Sequence, residues 1–234
     1  MGAVEIRGPC KAPIEIEVDG TIKAPINLAD LNGTEQWIKI QYVDFLTISG
    51  HGVFDGQGDD CISLGDGTKN VTVENLYCGP GHGISVGSLG KFPNEEPVEG
   101  LFVKSCTLTN TAFGLRIKTW PDTPSTITVS DLHFQDILMI NVKNPVFIDQ
   151  EYCPWNQCTN KQNPSKIKIS KVTFKNIRGT SATQEGVILN CSSVVPCEGV
   201  ELTDVTLKFN GAAAMAKCVN VKPLLRGKAP ICTP

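Results

Sequence analysis

Gly81-His82-Gly83-Ile84-Ser85-Val86-Gly87 is followed at Phe113-Gly114-Leu115-Arg116-Ile117-Lys118 by a second segment of the same make, and preceded at Asp59-Asp60-Cys61-Ile62-Ser63-Leu64-Gly65 by a third. Further along, Pro145-Val146-Phe147-Ile148 and Gly186-Val187-Ile188-Leu189 repeat the pattern. Each is a short β run that starts beside Gly or Pro, and from residue 71 each is preceded by another β run and an Asn or Asp turn. The repeating units begin at Val71, Leu101, Ile127, Ile167 and Val200, a spacing that suits a solenoid. A doubly wound α/β fold would need amphipathic helices between the strands, and no stretch sustains apolar residues at helical spacing. The expected fold is therefore all-β, a stack of parallel coils.

If the segments stack as parallel strands about 4.8 Å apart, alternation decides which side chains leave the core. With Ile84, Val86, Leu115 and Ile117 inward, Ser85, Arg116 and Lys118 leave by the opposite face. Arg116 and Lys118 are then expected as exposed neighbours, with Asp59, Asp60 and His82 in the adjoining coils. By themselves two exposed cations are ordinary solvated side chains. Stacked on two carboxylates and a histidine they suit acid–base chemistry on an anionic substrate, Arg116 gripping a carboxylate with two prongs and Lys118 adding a point charge. His82, between Gly81 and Gly83, is expected to hydrogen-bond a carboxylate and keep it in its working protonation state. The bland reading of Asp59-Asp60 is a turn or a helix N-cap; a calcium cage would draw more oxygen ligands than this neighbourhood offers. Neither a metal nor a cofactor is expected. His51, in a Gly-flanked turn, and His133, within a strand, receive no functional role.

Gly58-Asp59-Asp60-Cys61, Cys78-Gly79-Pro80-Gly81-His82-Gly83, Arg116-Ile117-Lys118 and Tyr152 resemble the motifs of the polygalacturonases, pectin-cleaving glycoside hydrolases with a right-handed parallel β-helix. Gly8-Pro9-Cys10-Lys11, Trp37-Ile38-Lys39, Gly52-Val53-Phe54-Asp55-Gly56-Gln57-Gly58 and Ile84-Ser85-Val86-Gly87-Ser88-Leu89-Gly90 resemble the plant pollen-type exopolygalacturonases more closely still. The resemblance covers nearly the whole chain. It implies that Asp59 protonates the leaving oxygen, that Asp60 works with a further aspartate from an Asn-Thr-Asp motif to hold the attacking water, and that Tyr152 stacks on or hydrogen-bonds substrate. An aromatic residue next to a cysteine is as often a loop anchor. In one respect the chain departs from its family: after Gln57-Gly58 the family runs through several further coils, including the Asn-Thr-Asp motif, before its Asp-Asp pair. Here that block is absent, so the β-helix is expected to be truncated by several coils. Asp55 and Asp66 are the nearby carboxylates that could stand in; Asp66 lies too far along its strand from Asp60, about 3.3 Å per residue over six residues.

Length and composition agree with one elongated domain: residues 1–58 as N-terminal cap and first coils, 59–210 as central coils with the cleft, 211–234 as C-terminal cap. At 234 residues and 41% hydrophobic content the chain can bury a core, and a net charge of −3 without basic blocks argues against nucleic acid. No apolar run is long enough to span a bilayer. Ten cysteines are many for a reducing compartment, and none forms the two-residue spacing of a zinc site. The expected disulfides are Cys61–Cys78, Cys153–Cys158, Cys191–Cys197 and Cys218–Cys232, with Cys10 and Cys106 left over. Sequons at Asn32, Asn70 and Asn190 agree with secretion to the cell exterior or wall. Residues 1–20 hold no apolar leader core, so a secreted chain is expected to have had its leader removed or to carry it outside this sequence.

Two functions follow as expectations. One is a monomeric hydrolase of α-1,4 bonds in polygalacturonate, inverting and exo-acting, weakened by the missing aspartate. The other is a β-helix that binds oligogalacturonate without cleaving it. A pectin lyase ranks below both, since the sequence offers no calcium or strongly basic cluster beside the arginine.

Overall fold

The computed structural model describes residues 1–25, 36–158 and 160–233. Its strands wind in chain order, each coil laid on the one before. One sheet runs Val4–Arg7, Ile38–Gln41, Asp60–Leu64, Gly83–Leu89, Phe113–Thr119, Asn144–Asp149, Glu185–Asn190, Met215–Val219 and Cys232–Thr233, and every neighbouring pair in it is parallel. The remaining faces form a second sheet, which turns its corner within the long strand Thr128–Val142. That strand's first half pairs with Val98–Lys104 and its second half with Thr107–Thr109. Parallel crossovers are right-handed because a right-twisted strand packs back on its sheet only that way, and this is a right-handed parallel β-helix.

Period-two alternation builds the core. Ile40, Leu64, Val86, Ile117, Ile148 and Leu189 stack in register down the first sheet, each at most 1% exposed. Burying an aliphatic side chain of this size is worth about 1.5–3 kcal/mol, so a charge in this column would cost a coil its footing. Phe134 and Phe174 continue the ladder in the other sheet, their rings stacked 5.0 Å apart.

The Asn and Asp turns have a definite job. At one corner Asn70, Gly100, Asp131, Lys171 and Gly199 each take a positive φ just before an inward aliphatic; at the next Asn75, Ser105, Asp136, Asn176 and Asp204 do the same before an inward apolar residue, Cys106 after Ser105 and an aliphatic after each of the others. Asn and Asp tolerate this left-handed backbone best after Gly, because their short side chains bond locally. The register also moves two sequence-read unit starts: Leu101 pairs with Leu132 rather than Ile127, and Leu132 with Val172 rather than Ile167. The second-strand alignment stands, with Ile84, Leu115, Val146 and Val187 in one row.

All four expected disulfides are formed, and Cys10 and Cys106 are free thiols. Asn70 and Asn190 lie on the outside, donating to Asp44 (2.8 Å) and Glu151 (3.0 Å); Asn32 falls outside the described residues. Among the described residues no helix is long and apolar enough to cross a membrane.

At the junction where the family's extra coils are missing, the solenoid closes directly. Ile38–Gln41 pairs with Asp60–Leu64 through Lys39↔Ser63 and Ile40↔Leu64, a shorter ladder than the one on the far side of the acidic strand. Just ahead of this strand the Trp37 N–H donates to the Asp59 carboxylate at 2.5 Å, so the chain at residues 36–37 borders the acidic pair.

Candidate active site

Outward columns of the first sheet meet the Gln150–Lys166 loop, and between them lies a cleft of about 710 Å³. Asp59, Asp60, His82, Arg116, Lys118 and Tyr152 all line it. The six residues singled out in the sequence are thus brought together, with the His82 ring edge-on to Phe113 at 6.0 Å and the Arg116 guanidinium 3.8 Å over the same ring.

Their surroundings correct one expectation. Arg116 and Lys118 leave the sheet on the outward face as alternation requires, but they are only 7% and 5% exposed. The loop that follows Asp149 lies over them. Tyr152 N–H donates to the Thr119 carbonyl at 3.2 Å, and its ring packs edge-on to Trp120, 4.9 Å from the guanidinium and 5.4 Å from the lysine nitrogen. An exposed strand pair has become a buried cation pocket walled by Phe113, Phe147 and Tyr152. Burial lowers the Arg116 pKa, while Asp60, Tyr152 and Asp149 work in the other direction. The Arg116 Nε and the Trp120 Nε1 are buried donors without an acceptor among the described residues.

Asp60 is 1% exposed, and both of its oxygens are engaged: Ser85 Oγ donates to one at 2.6 Å and Lys118 Nζ to the other at 2.8 Å. Asp59 accepts the Asp60 N–H at 2.7 Å and the Trp37 N–H at 2.5 Å. Burial is the largest influence on Asp59 and raises its pKa; the Asp60 charge adds to this, and the two amide donors oppose it. Two adjacent carboxylates have been pushed into unlike environments, one salt-bridged and one poised to hold a proton.

His82 is placed differently from expectation. Its ring makes no hydrogen bond to either carboxylate among the described residues and lies edge-on to Phe113; its backbone N–H donates to the Asp59 carbonyl at 2.7 Å. Burial lowers its pKa despite the attraction of Asp60 and Asp59, so it is neutral at pH 7. Gly83 beside it is required: its φ is +86°, and a Cβ there would meet the Phe113 carbonyl at 2.2 Å.

Asp149 was missed in the sequence. It pairs in register with Lys118 and lines the cleft, with a pKa raised by burial and lowered by Arg116. The signal was present, since the aligned Pro145–Ile148 run ends on it. Three strand spacings, about 14 Å, separate its row from that of Asp60. Neither sequence-read stand-in reaches the cleft: Asp55 bonds Gln57 and faces Lys23 at 3.8 Å, and Asp66 accepts from Gln41 and Tyr42. His51 and His133 also lie elsewhere, His133 between Thr173 and Asp131.

The Lys118–Asp60 pair sets up a stability test. Removing one partner of a buried pair strands the other charge and costs about 3–5 kcal/mol. Lys118→Met should lower the urea midpoint accordingly, and adding Asp60→Asn should restore most of it. Equal midpoints for wild type and Lys118→Met would mean that the pair carries no such weight.

A coil-by-coil parallel solenoid with carboxylates and buried cations in one cleft defines a class of carbohydrate-active β-helix proteins. The chain belongs to glycosyl hydrolases family 28, whose model matches residues 1–59 and 57–232. It is 48% identical over 326 residues to a polygalacturonase from Medicago sativa, covering 99% of this chain and 77% of that one, and 38% identical over 321 residues to an exopolygalacturonase from Oenothera organensis, covering 97% and 88%. The fold is shared with an endo-xylogalacturonan hydrolase from Aspergillus tubingensis (TM-score 0.74, 22% identity), where the match covers 99% of this chain and 65% of that one. The family match breaks at residues 57–59, beside the acidic pair, and the alignments run longer than the 234 residues of this chain. The relatives therefore carry an internal block that this chain lacks.

Proposed function

We propose that this glycoside hydrolase cleaves α-1,4-galacturonosyl bonds of polygalacturonate with inversion, outside the cell, working from chain ends as a monomer. The observation that carries this reading is Arg116: a guanidinium 7% exposed, packed between aromatic rings, with a buried Nε lacking an acceptor among the described residues, beside an acidic pair. A galacturonate carboxylate supplies that acceptor. Lys118 and Tyr152 complete the sugar site. Asp59, whose pKa burial raises, gives its proton to the glycosidic oxygen as the bond to the anomeric carbon breaks. Water attacks the opposite face and gives up its proton to Asp60, which serves weakly as base because Ser85 and Lys118 already engage both of its oxygens, so turnover is low. Neutral His82 sits beside the acid without adding a charge to the site. The relatives named polygalacturonase and exopolygalacturonase support the substrate and the chain-end action; the four disulfides support the location.

A second reading, binding without cleavage, is favoured by one observation: Asp60 already spends both oxygens on Ser85 and Lys118. Both readings share the cation site. Arg116→Ala should weaken oligogalacturonate binding in calorimetry by about 10²-fold, the scale of a charge-assisted bidentate contact, and methyl-esterified oligomers should bind poorly to either protein. Equal affinity for charged and esterified chains would overturn the site.

A further inference from the structure

Trp155 is the unabsorbed residue of the cleft. Three other aromatic residues line the cavity, and all are tucked into its wall; Trp155 lines it too and is 80% exposed. Its backbone is as unusual as its exposure. Trp155 and Asn156 take successive positive φ values of 52° and 56°, a conformation that costs a bulky non-glycine residue on the order of 1 kcal/mol or more. What holds it there is visible. Pro154 precedes it, the Cys153–Cys158 disulfide closes the loop, the Gln157 N–H returns to the Pro154 carbonyl at 3.1 Å, and Lys161 Nζ fastens Asn156 at 2.7 Å. The backbone that carries this large apolar ring is thus held at the mouth of the cleft before any ligand arrives, which lowers the ordering cost of binding.

Such a platform matches one chemistry found in the proposed substrate. A pyranose ring presents an apolar C–H face on one side while its hydroxyls and carboxylate point to the edges, and an indole face can cover it without competing for the charge that Arg116 takes. We infer that Trp155 is a sugar-stacking residue at the rim of the cleft, binding a uronosyl ring of the same chain whose neighbouring residue occupies the Arg116–Lys118 pocket. This rests on the substrate class proposed above and adds a second anchoring point, one selective for ring face rather than for charge.

The test uses the protein's own tryptophans. The sequence has three; Trp37 and Trp120 are 0% and 6% exposed, so collisional quenching of fluorescence by acrylamide reports chiefly on Trp155. Saturating oligogalacturonate should protect the quenchable emission, and Trp155→Ala should abolish the quenchable component while reducing calorimetric affinity about tenfold, the scale of one lost aromatic contact. Trp155→Phe should keep most of the affinity. If the oligomer binds by calorimetry while Trp155 stays as quenchable as before, the stacking role is wrong and the cation site stands. If the oligomer does not bind at all, both readings fall.

Discussion

Asp59→Asn should reduce reducing-sugar release from polygalacturonate by 10²-fold or more, the typical worth of a positioned general acid. The replacement keeps the shape and preserves an oxygen for one of the two backbone donors, Trp37 and Asp60, so folding and oligogalacturonate affinity should be retained. Loss of turnover with retained binding separates a proton donor from a structural carboxylate. The pH profile adds an independent check. Catalysis requires Asp59 protonated, so activity should fall as pH rises through its folded pKa, and because burial raises that value the alkaline limb should lie above the ordinary carboxylate range near pH 4. A variant that hydrolyses normally would move the acid role to another group. Asp149, also buried with a raised pKa, is the carboxylate to test next.

What could be read without coordinates divides along physical lines. Second-strand register was legible because Gly or Pro followed by alternating apolar residues marks an inward row, and Ser85, Arg116 and Lys118 then fall outward by parity alone. The disulfides were legible because Cys153–Cys158 and Cys191–Cys197 close loops too short to allow other partners easily. Burial of Arg116 and Lys118 was not legible. It depends on where a loop more than thirty positions downstream comes to rest, which the Tyr152 N–H to Thr119 contact fixes and no local pattern encodes. The same holds for His82, whose ring turned toward Phe113 rather than toward a carboxylate, a choice between two partners equally near in sequence terms. Unit starts drifted by five residues at Leu132 and Val172 because Ile167 is also buried and Ile127 partly so, and hydrophobicity alone cannot tell a strand's entry from its middle.

The missing block turns out to leave a seam rather than a hole. Trp37, wholly buried, packs edge-on to Phe54 at 6.4 Å, and its N–H reaches Asp59 across the junction. Deleting whole coils from a solenoid preserves the stacking of those that remain, because each coil contacts only its neighbours. The cost falls on chemistry instead. The acidic pair now faces a coil evolved to sit elsewhere in the stack.

Gln36→Asp should therefore raise turnover. Gln36 lines the cleft with Asp59 and Asp60, and its neighbour Trp37 donates its N–H to the Asp59 carboxylate at 2.5 Å. Inverting hydrolysis needs acid and base carboxyls about 6.5–9.5 Å apart, with room for a water between them. Adjacent residues such as Asp59 and Asp60 rarely provide this, and Asp60 is further tied by Lys118. A carboxylate at position 36 would enter the same cleft as Asp59, next to Trp37 whose N–H Asp59 accepts, and would be free of the ties that hold Asp60. General-base assistance is typically worth 10²–10⁴ in rate, so Gln36→Asp should increase reducing-sugar release by at least the lower bound, and the gain should vanish when Asp59→Asn is added. Reinserting the relatives' internal block should give a comparable gain by the same route. If the unaltered chain already turns over as fast as either variant, then Asp60 or Asp149 serves as base in this shortened helix, and the absent carboxylate was never limiting.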